Sequence, residues 1–194
     1  MTKIIGLTGG IGSGKTSIAK YFEQKGIPVY IADERAKIVS SKPEVVHKII
    51  SAFGQEILDE NDNISKEKLA KIVFTNSEKL QLLNSIIHPE VKKDFTEWIK
   101  KQNKPFVIKE AAILFESGSY KDCDIIITIT APIEERINRV MKRDKTTREK
   151  VLDRISNQWS DEKRIEKSDF VIENSSLNIA FEQVNEILDL LNNQ

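Results

Sequence analysis

The stretch GGIGSGKT at residues 9–16 matches the phosphate-binding pattern G-x-x-x-x-G-K-[ST]. Residues 3–7, before it, form a short apolar segment typical of a strand, and residues 17–22, after it, carry apolar side chains at helical spacing. This order of strand, glycine-rich loop and helix favours phosphate binding, because the N-terminus of the helix attracts anions. The stretch therefore predicts an α/β fold built around a phosphate-binding loop.

Two side chains at the end of this loop can act on a nucleotide. Successive main-chain N–H groups of a tightly curled glycine loop can point inward at phosphate oxygens. Lys15 is placed to reach the β- and γ-phosphates, and the Thr16 hydroxyl is placed to bind Mg²⁺. We therefore expect a nucleotide site here rather than a glycine-rich turn without a ligand.

Composition argues against several functional classes. The chain has 194 residues, of which 31% are charged and 39% hydrophobic, as in ordinary globular proteins. Thirty basic residues balance thirty acidic ones, so nothing draws the whole chain to nucleic acid or anionic membranes. No apolar run approaches the ~20 residues that span a bilayer, the first residues lack a signal-peptide pattern, and Cys123 is the single cysteine. We expect a cytoplasmic protein with small-molecule substrates, without nucleic-acid or membrane partners, as a monomer or weak homo-oligomer.

Strand and helix patterns alternate along the chain, which indicates βαβ units and a parallel sheet. Further strands are predicted at 28–31, 106–108, 124–130 and 170–172. A mostly helical block at 43–102 interrupts the alternation, and Pro89 is predicted to begin a separate helix within it. Thr146 and Glu149 have capping-box spacing, which predicts the start of a helix that runs through Gln158.

Asp33 follows the second predicted strand, so it should lie at the same sheet edge as the phosphate loop. A carboxylate there can orient an acceptor hydroxyl beside the γ-phosphate and accept its proton during phosphoryl transfer. Asp33 can also cap a helix that begins at Glu34. The position alone leaves both roles open, and they are compatible.

Two further carboxylates are candidates for the same edge. Glu110 follows the strand predicted at 106–108, with one lysine between them. Glu116 lies six residues further on. Acids at strand ends near a phosphate loop often hold Mg²⁺, directly or through water. Spacing alone favours ordinary solvated or helix-capping carboxylates for both.

Cations are dense between Arg136 and Arg164. Arg136, Arg139 and Arg143 have the i, i+3, i+7 spacing that places side chains on one helix face. Such a face suits a mobile flap that closes over a triphosphate. Acidic residues are interleaved with the cations, so an exposed surface of ion pairs explains the same pattern, and the residues leave both interpretations open.

Motifs of guanine-nucleotide proteins are missing. Residues 103–106 begin like the guanine-reading N-K-x-D, but Phe106 replaces the aspartate. No D-x-x-G segment follows at a suitable place. The chain is therefore not expected to be a GTPase.

Motifs spread over nearly the whole chain resemble the dephospho-coenzyme A kinase family. The opening GLTGGIGSGKT at residues 6–16 is close to the start of that family, and residues 31–33 align with its D-A-D segment. The other matches are residues 87–89 to L-H-P, 110–116 to an acid followed by x-P-L-L-F-E, 139–158 to the lid pattern of arginines, T-R-E and R-I-x-x-Q, and 169–174 to D-x-V-I-x-N. The chain departs from the family at Ile31, Ala112 and Ser176, which replace an aspartate, a proline and a frequent glycine.

The resemblance implies a three-layer P-loop kinase fold of the α/β class, with a parallel sheet, a helical acceptor-binding insertion and a short lid. It implies a single domain over 1–194, with its core at about 1–40, 104–138 and 169–194, the insertion at about 41–103 and the lid at about 139–168. It also implies ATP as phosphoryl donor, Mg²⁺ as metal, and transfer to the ribose 3′-hydroxyl of dephospho-coenzyme A, the last step of coenzyme A synthesis.

The same resemblance implies a role for each candidate residue. Asp33 is the base, Lys15 neutralises the phosphates, and Arg139 and Arg143 close over the donor. Thr16 holds Mg²⁺, with Glu110 behind it, through water. Contacts with ATP are expected from the loop residues and one late asparagine, namely Gly10, Ile11, Gly12, Ser13, Gly14, Lys15, Thr16, Ser17 and Asn174. Acceptor contacts are expected from Asp33, His88 and Glu116, although a histidine at a helix start is also an ordinary polar residue.

Two other functions stay open at this stage. One is a P-loop kinase that acts on another small hydroxyl compound or nucleotide. The other is a non-catalytic protein regulated by nucleotide, which would be expected to have lost Lys15, Thr16 or Asp33. All three residues are present, so an enzyme is favoured.

Overall fold

The computed structural model describes residues 2–193, which contain five strands and nine α-helices. The strands are β1 (Lys3–Thr8), β2 (Val29–Ile31), β3 (Phe106–Glu110), β4 (Ile125–Thr130) and β5 (Phe170–Glu173). The helices are α1 (Lys15–Gln24), α2 (Ala32–Ser40), α3 (Pro43–Phe53), α4 (Lys66–Thr75), α5 (Ser77–Ile99), α6 (Ile133–Asp144), α7 (Arg148–Ser156), α8 (Asp161–Ile165) and α9 (Leu177–Asn192). Every predicted strand is present, with ends that differ by at most a few residues.

The strands form one parallel sheet in the order β2-β3-β1-β4-β5. Its central strands are apolar because they are covered on both faces, with Ile5, Ile108 and Ile127 fully buried. The chain leaves β1 for one side of the sheet and returns from β3 to the other. The gap between β1 and β3 is therefore the switch point of the sheet, where ligands of such folds bind beyond the strand ends. The fold is the predicted α/β class with a parallel sheet.

The chain divides into two compact units, residues 1–31 with 102–194 and residues 32–101. We call them the sheet unit and the helical unit. The helical unit holds α2 to α5 around its own apolar cluster, which includes Val39, Ile49 and Phe53. It includes α2 because this helix packs against α5.

The prediction that Pro89 begins a separate helix is wrong, because α5 runs without a break from Ser77 to Ile99. Proline lacks one N–H donor and normally kinks or ends a helix. Tertiary contacts outweigh this local cost here, since α5 packs against α2, α3 and α4. Asp94, beyond the proline, accepts two hydrogen bonds from the Arg35 guanidinium at 2.8 and 2.6 Å, and thereby ties the second half of α5 to α2.

The capping box predicted at Thr146 is also wrong. Lys145 adopts a left-handed conformation that ends α6, and α7 then begins at Arg148 with Thr147 as its N-cap. The prediction missed by one residue because threonines occupy both positions. Ser160 does cap the next helix, since its hydroxyl accepts from the Lys163 N–H. In residues 2–193, no helix is long and apolar enough to cross a membrane.

Candidate active site

The phosphate loop connects β1 to α1 at the switch point of the sheet. Several of its carbonyl oxygens accept hydrogen bonds from neighbouring groups, and these bonds stabilise the curled loop. The oxygen of Gly9 accepts from Lys15 Nζ at 2.8 Å, that of Gly10 from the Ser13 N–H at 3.1 Å, and that of Ser13 from Asn174 Nδ2 at 2.7 Å. A curled glycine loop of this kind can turn several backbone N–H groups toward a phosphate.

Lys15, the first residue of α1, turns its side chain back over the loop. Its ammonium group lies 2.8 Å from the Gly9 oxygen and 3.5 Å from the Gly10 oxygen. Nζ is therefore held against the mouth of the loop, where a bound phosphate would meet it. The contact between Lys15 and a nucleotide stays a prediction.

Two loop glycines are required by close packing. A Cβ atom at Gly10 would overlap the guanidinium of Arg136, and one at Gly14 would overlap the side-chain amide of Asn174. Gly14 also has φ of 97°, a left-handed value that disfavours other residues. The glycines thus let two side chains from distant parts of the chain reach the loop backbone.

Asn174 and Arg139 support the loop from the side of β5. Asn174 is 2% exposed, and its backbone oxygen accepts from Arg139 Nη2 at 3.0 Å. Arg139 Nη1 also lies 3.5 Å from the Gly12 oxygen. A cavity of about 320 Å³ adjoins these residues, lined by Gly14, Ser17, Arg139, Asn174, Ser175, Ser176 and Leu177. The structure therefore brings Ser17, Arg139 and Asn174 together beside the loop, and their contacts with a nucleotide stay predictions.

Glu110 lies at the expected edge of the sheet. It ends β3, is 6% exposed, and pairs in register with Leu7 of β1 and Ile31 of β2. The phosphate loop follows directly after β1, so this carboxylate and the Thr16 hydroxyl belong to the same end of the sheet. Both are oxygen ligands of the kind that Mg²⁺ prefers, which it commonly combines with substrate phosphates. Among the described residues, no group of three or more His, Cys, Asp or Glu forms a metal cluster.

Glu116 makes well-defined protein contacts. Its Oε1 accepts from the Trp159 N–H at 2.9 Å and from Arg164 Nη2 at 3.3 Å. The Trp159 ring stacks on the ring of Phe115, which directly precedes Glu116 in the sequence. The structure thus ties Glu116 to the segment around α8, and its expected contact with the acceptor stays a prediction.

Arg143 differs from Arg139 in its partners. Its guanidinium donates to both carboxylate oxygens of Asp144, at 2.7 and 3.1 Å, and Arg154 donates to the same carboxylate at 2.7 Å. These hydrogen bonds hold the pKa of Asp144 well below its ordinary value. Within residues 2–193, Arg143 makes no hydrogen bond to the phosphate loop, so its closure over the donor also stays a prediction.

Asp33 and His88 belong to the helical unit. Asp33 is the second residue of α2, and only Ala32 separates it from Ile31, the residue of β2 that pairs with Glu110. Because α2 begins at Ala32, Asp33 is not the cap of a helix that starts at Glu34, although a carboxylate in the first turn is still favoured by the helix dipole. Partial burial lowers the pKa of His88 on α5. The functional roles of both residues stay predictions.

Gln158 and Arg136 contact the loop although sequence reasoning assigned neither to the site. Gln158 Oε1 accepts from the Ile11 N–H, and Arg136 Nε donates to the Ile11 oxygen. In the sequence, Arg136 is one of many cations in its segment, and Gln158 is the last residue of the match to the lid pattern. The helix-face pattern that included Arg139 was the one available signal for Arg136.

Comparison with known proteins gives consistent results. A family model described as dephospho-CoA kinase matches residues 3–179. Dephospho-CoA kinase from Fusobacterium nucleatum is 49% identical over 173 residues, which cover 89% of this chain and 90% of that protein. Dephospho-CoA kinase from Bacillus licheniformis is 39% identical over 201 residues, which cover 100% of this chain and 98% of that protein.

Solved structures agree with these sequence relatives. TT1252 from Thermus thermophilus has a TM-score of 0.89 at 30% identity, with 96% of both chains covered. Dephospho-CoA kinase from Campylobacter jejuni has a TM-score of 0.70 at 28% identity, with 98% of both chains covered. Shikimate kinase from Acinetobacter baumannii is 16% identical with a TM-score of 0.55, over 100% of this chain and 96% of that one, and shares the fold alone.

Proposed function

The chain belongs to the dephospho-CoA kinase family, and from this premise we propose how its own residues carry out the reaction. The enzyme is a phosphotransferase with an alcohol acceptor: it phosphorylates dephospho-CoA at the ribose 3′-hydroxyl, the last step of coenzyme A biosynthesis, with ATP as co-substrate. The observation that carries this function is a family match that spans residues 3–179 and includes an intact phosphate loop.

The phosphate loop binds and orients ATP. The N–H groups of residues 12 and 14–16 are proposed to face the phosphates, because those of Ser13 and Ser17 donate to the Gly10 and Gly14 oxygens. Lys15 Nζ moves from the Gly9 oxygen to the β- and γ-phosphates. Positive charge at these oxygens stabilises the charge that spreads over the transferred group. Lys15 supports this role through its place at the mouth of the loop, 2.8 Å from the Gly9 oxygen. The cavity lined by Ser17, Asn174 and Leu177 is the proposed place of the adenosine part of ATP.

Thr16 and Glu110 are the proposed residues that hold Mg²⁺, with Glu110 acting through water. The proposal rests on their oxygen donors and on their place at the carboxyl ends of β1 and β3. A bound Mg²⁺ would offset the negative charge of the phosphates.

Asp33 is the proposed general base. It orients the 3′-hydroxyl of dephospho-CoA toward the γ-phosphorus of ATP and takes the hydroxyl proton. A bond forms between the 3′-oxygen and the γ-phosphorus, while the bond from that phosphorus to the β–γ bridging oxygen breaks and ADP leaves. Support comes from the position of Asp33, two residues after the Ile31 that pairs with Glu110.

The charged segment at about 139–168 is the proposed lid, and the helical block at about 41–103 is the proposed acceptor-binding insertion. Arg139 is favoured as the lid cation nearest the phosphates, because it already lies 3.5 Å from the Gly12 oxygen. Arg143 would reach the donor only after it releases Asp144. His88 and Glu116 are the proposed acceptor contacts.

A panel of acceptors tests the substrate. The purified protein is incubated with ATP, Mg²⁺ and, in separate reactions, dephospho-CoA, adenosine, a nucleoside monophosphate and shikimate. We expect kcat/KM for dephospho-CoA to exceed that for every other compound by at least 10²-fold. Contacts with the whole acceptor orient its reacting hydroxyl, and the other compounds lack part of these contacts. A higher value for another acceptor would assign the site to that compound.

A further inference from the structure

Ile11, at the tip of the phosphate loop, is held on both sides of its backbone by the segment that follows β4. Its N–H donates to Gln158 Oε1 at 2.9 Å, and its carbonyl oxygen accepts from Arg136 Nε at 3.0 Å. The two partners lie 147 and 125 residues away in sequence.

The side chain of Ile11 is held by the same segment. It packs against an apolar cluster whose buried members are Ile137 and Val140 of α6 and Val151 of α7. Met141 and Ile155 complete the surroundings. Backbone and side chain of one loop residue are thus bound by α6, by α7 and by the turn after α7.

Arg136 is itself fixed by buried charges. Its side chain is 6% exposed and pairs with Asp161 at 2.8 Å. Asp161 also accepts from Arg164, whose side chain is 1% exposed and which reaches Glu116 at 3.3 Å. Because these charges are paired and largely out of water, removing one would leave its partner uncompensated. Arg136 therefore presents its Nε to Ile11 in a fixed orientation.

We infer that Gln158 and Arg136 are positioning residues for ATP binding, which act by holding Ile11 and with it the whole phosphate loop. A loop with glycine at positions 9, 10, 12 and 14 has high conformational entropy when unrestrained. Restraint before the ligand arrives reduces the entropy lost on binding and so raises affinity. The Ile11 N–H serves this restraint rather than direct contact with phosphate. The inference rests on the proposed function only in that ATP is the ligand.

Hydrogen exchange at the Ile11 amide, measured by NMR on the full-length protein without nucleotide, tests the contact directly. Gln158→Met keeps the size of the side chain but removes the acceptor. We expect exchange to become at least tenfold faster in this variant. Gln158→Glu keeps an oxygen at the same place, and its exchange rate should stay within threefold of the unmodified protein. Equal rates in the unmodified protein and Gln158→Met would overturn the inference.

The dissociation constant for ATP, measured by calorimetry, tests the consequence. The loss of one neutral hydrogen bond predicts about two- to tenfold weaker binding for Gln158→Met. Arg136→Lys keeps a positive charge for Asp161, but a lysine cannot donate to Asp161 and to the Ile11 oxygen from one guanidinium group. ATP should therefore bind to this variant even more weakly. Gln24→Met, at the far end of α1, is the control and should bind as the unmodified protein does. Unchanged ATP affinity in a folded Gln158→Met protein would overturn the inference.

Both readouts are independent of turnover. If the unmodified protein binds ATP but phosphorylates no acceptor, the proposed function fails while exchange and affinity still decide the role of Gln158. If Arg136→Lys does not fold, Gln158→Met gives the answer, because the Gln158 side chain is only partly buried and carries no charge. A melting temperature for each variant separates lost positioning from lost stability.

Discussion

Asn174 donates its side-chain N–H to the carbonyl oxygen of Ser13 at 2.7 Å, although 161 residues separate the two in sequence. The bond joins the end of β5 to the middle of the phosphate loop, and both residues are buried. Gly14 has no side chain that would block the approach. The glycine pattern of the loop therefore serves packing against the rest of the sheet unit as well as phosphate binding.

Asn174→Asp should reduce both stability and ATP affinity. The substitution replaces a donor by an oxygen that faces the Ser13 oxygen in a buried place. An unsatisfied or repelled buried group costs about 1–3 kcal/mol, so the free energy of unfolding should fall by that amount. Denaturant unfolding measures it. Asn157→Asp is the control, because the Asn157 side chain makes the same kind of bond at the surface, to the Asp153 oxygen at 2.8 Å, and its change should stay within about 0.5 kcal/mol. An equal effect of both substitutions would contradict the role given to Asn174.

Lys15→Ala should abolish phosphoryl transfer and weaken ATP binding, with the fold retained. The Lys15 side chain is partly exposed at the loop, so its truncation removes no part of the apolar core. Turnover, ATP affinity and circular dichroism are measured on this variant and on Lys20→Ala, an exposed lysine of the same helix. Near-normal turnover in folded Lys15→Ala protein would show that Lys15 does not act on the phosphates.

Asp33→Asn should lower turnover by about 10²–10⁴-fold, the usual contribution of a general base. Asparagine keeps the shape of the side chain but cannot accept the proton. ATP affinity should change little, since the phosphates are bound by the loop. Glu34→Gln, the next residue of the same helix turn, is the matched control and should keep normal turnover. A loss of less than threefold for Asp33→Asn would remove it as the base and make Glu110 or Glu116 the next candidate.

The Cys123 thiol should react slowly with thiol reagents in the native protein. Burial raises the pKa of Cys123 to about 11, because the thiolate is poorly solvated there. At pH 8 roughly 10⁻³ of the thiol is then ionised, against about a quarter of an ordinary thiol with a pKa of ~8.5. Labelling should be about 10²-fold slower in native than in urea-unfolded protein, and it should accelerate about tenfold per pH unit up to pH 10. Equal rates at pH 8 would contradict the raised pKa.

Local sequence patterns were sufficient for the elements that carry the fold. The apolar segment before residue 9 and the glycine loop predicted β1, the turn and α1, because strand, turn and helix each depend on neighbouring residues. Asp33 and Glu110 became candidates in the same way, since each follows a recognisable strand. Family resemblance added the substrate, which no local pattern contains.

Long-range contacts could not be predicted in this way. Gln158, Arg136 and Asn174 bind the loop backbone from more than 120 residues away, and no local sequence pattern predicted these hydrogen bonds. Pro89 is an example in which a strong local signal misled the prediction. Proline favours a helix start, but α5 continues through Pro89 because it packs against other helices on both sides of that residue. The helix start was misplaced by one residue at Thr146 because threonines occupy both positions, and the left-handed Lys145 that ends α6 has a conformation uncommon for lysine.

Mass spectrometry of dephospho-CoA incubated with the protein, ATP and Mg²⁺ is the most direct test of the function. The acceptor should gain one phosphate, fragmentation should place it on the ribose 3′-oxygen, and ADP should form in equal amount. A reaction without enzyme and one with Lys15→Ala protein are the controls. An unchanged acceptor mass with protein that binds ATP, or a phosphate at another position, would contradict the assignment.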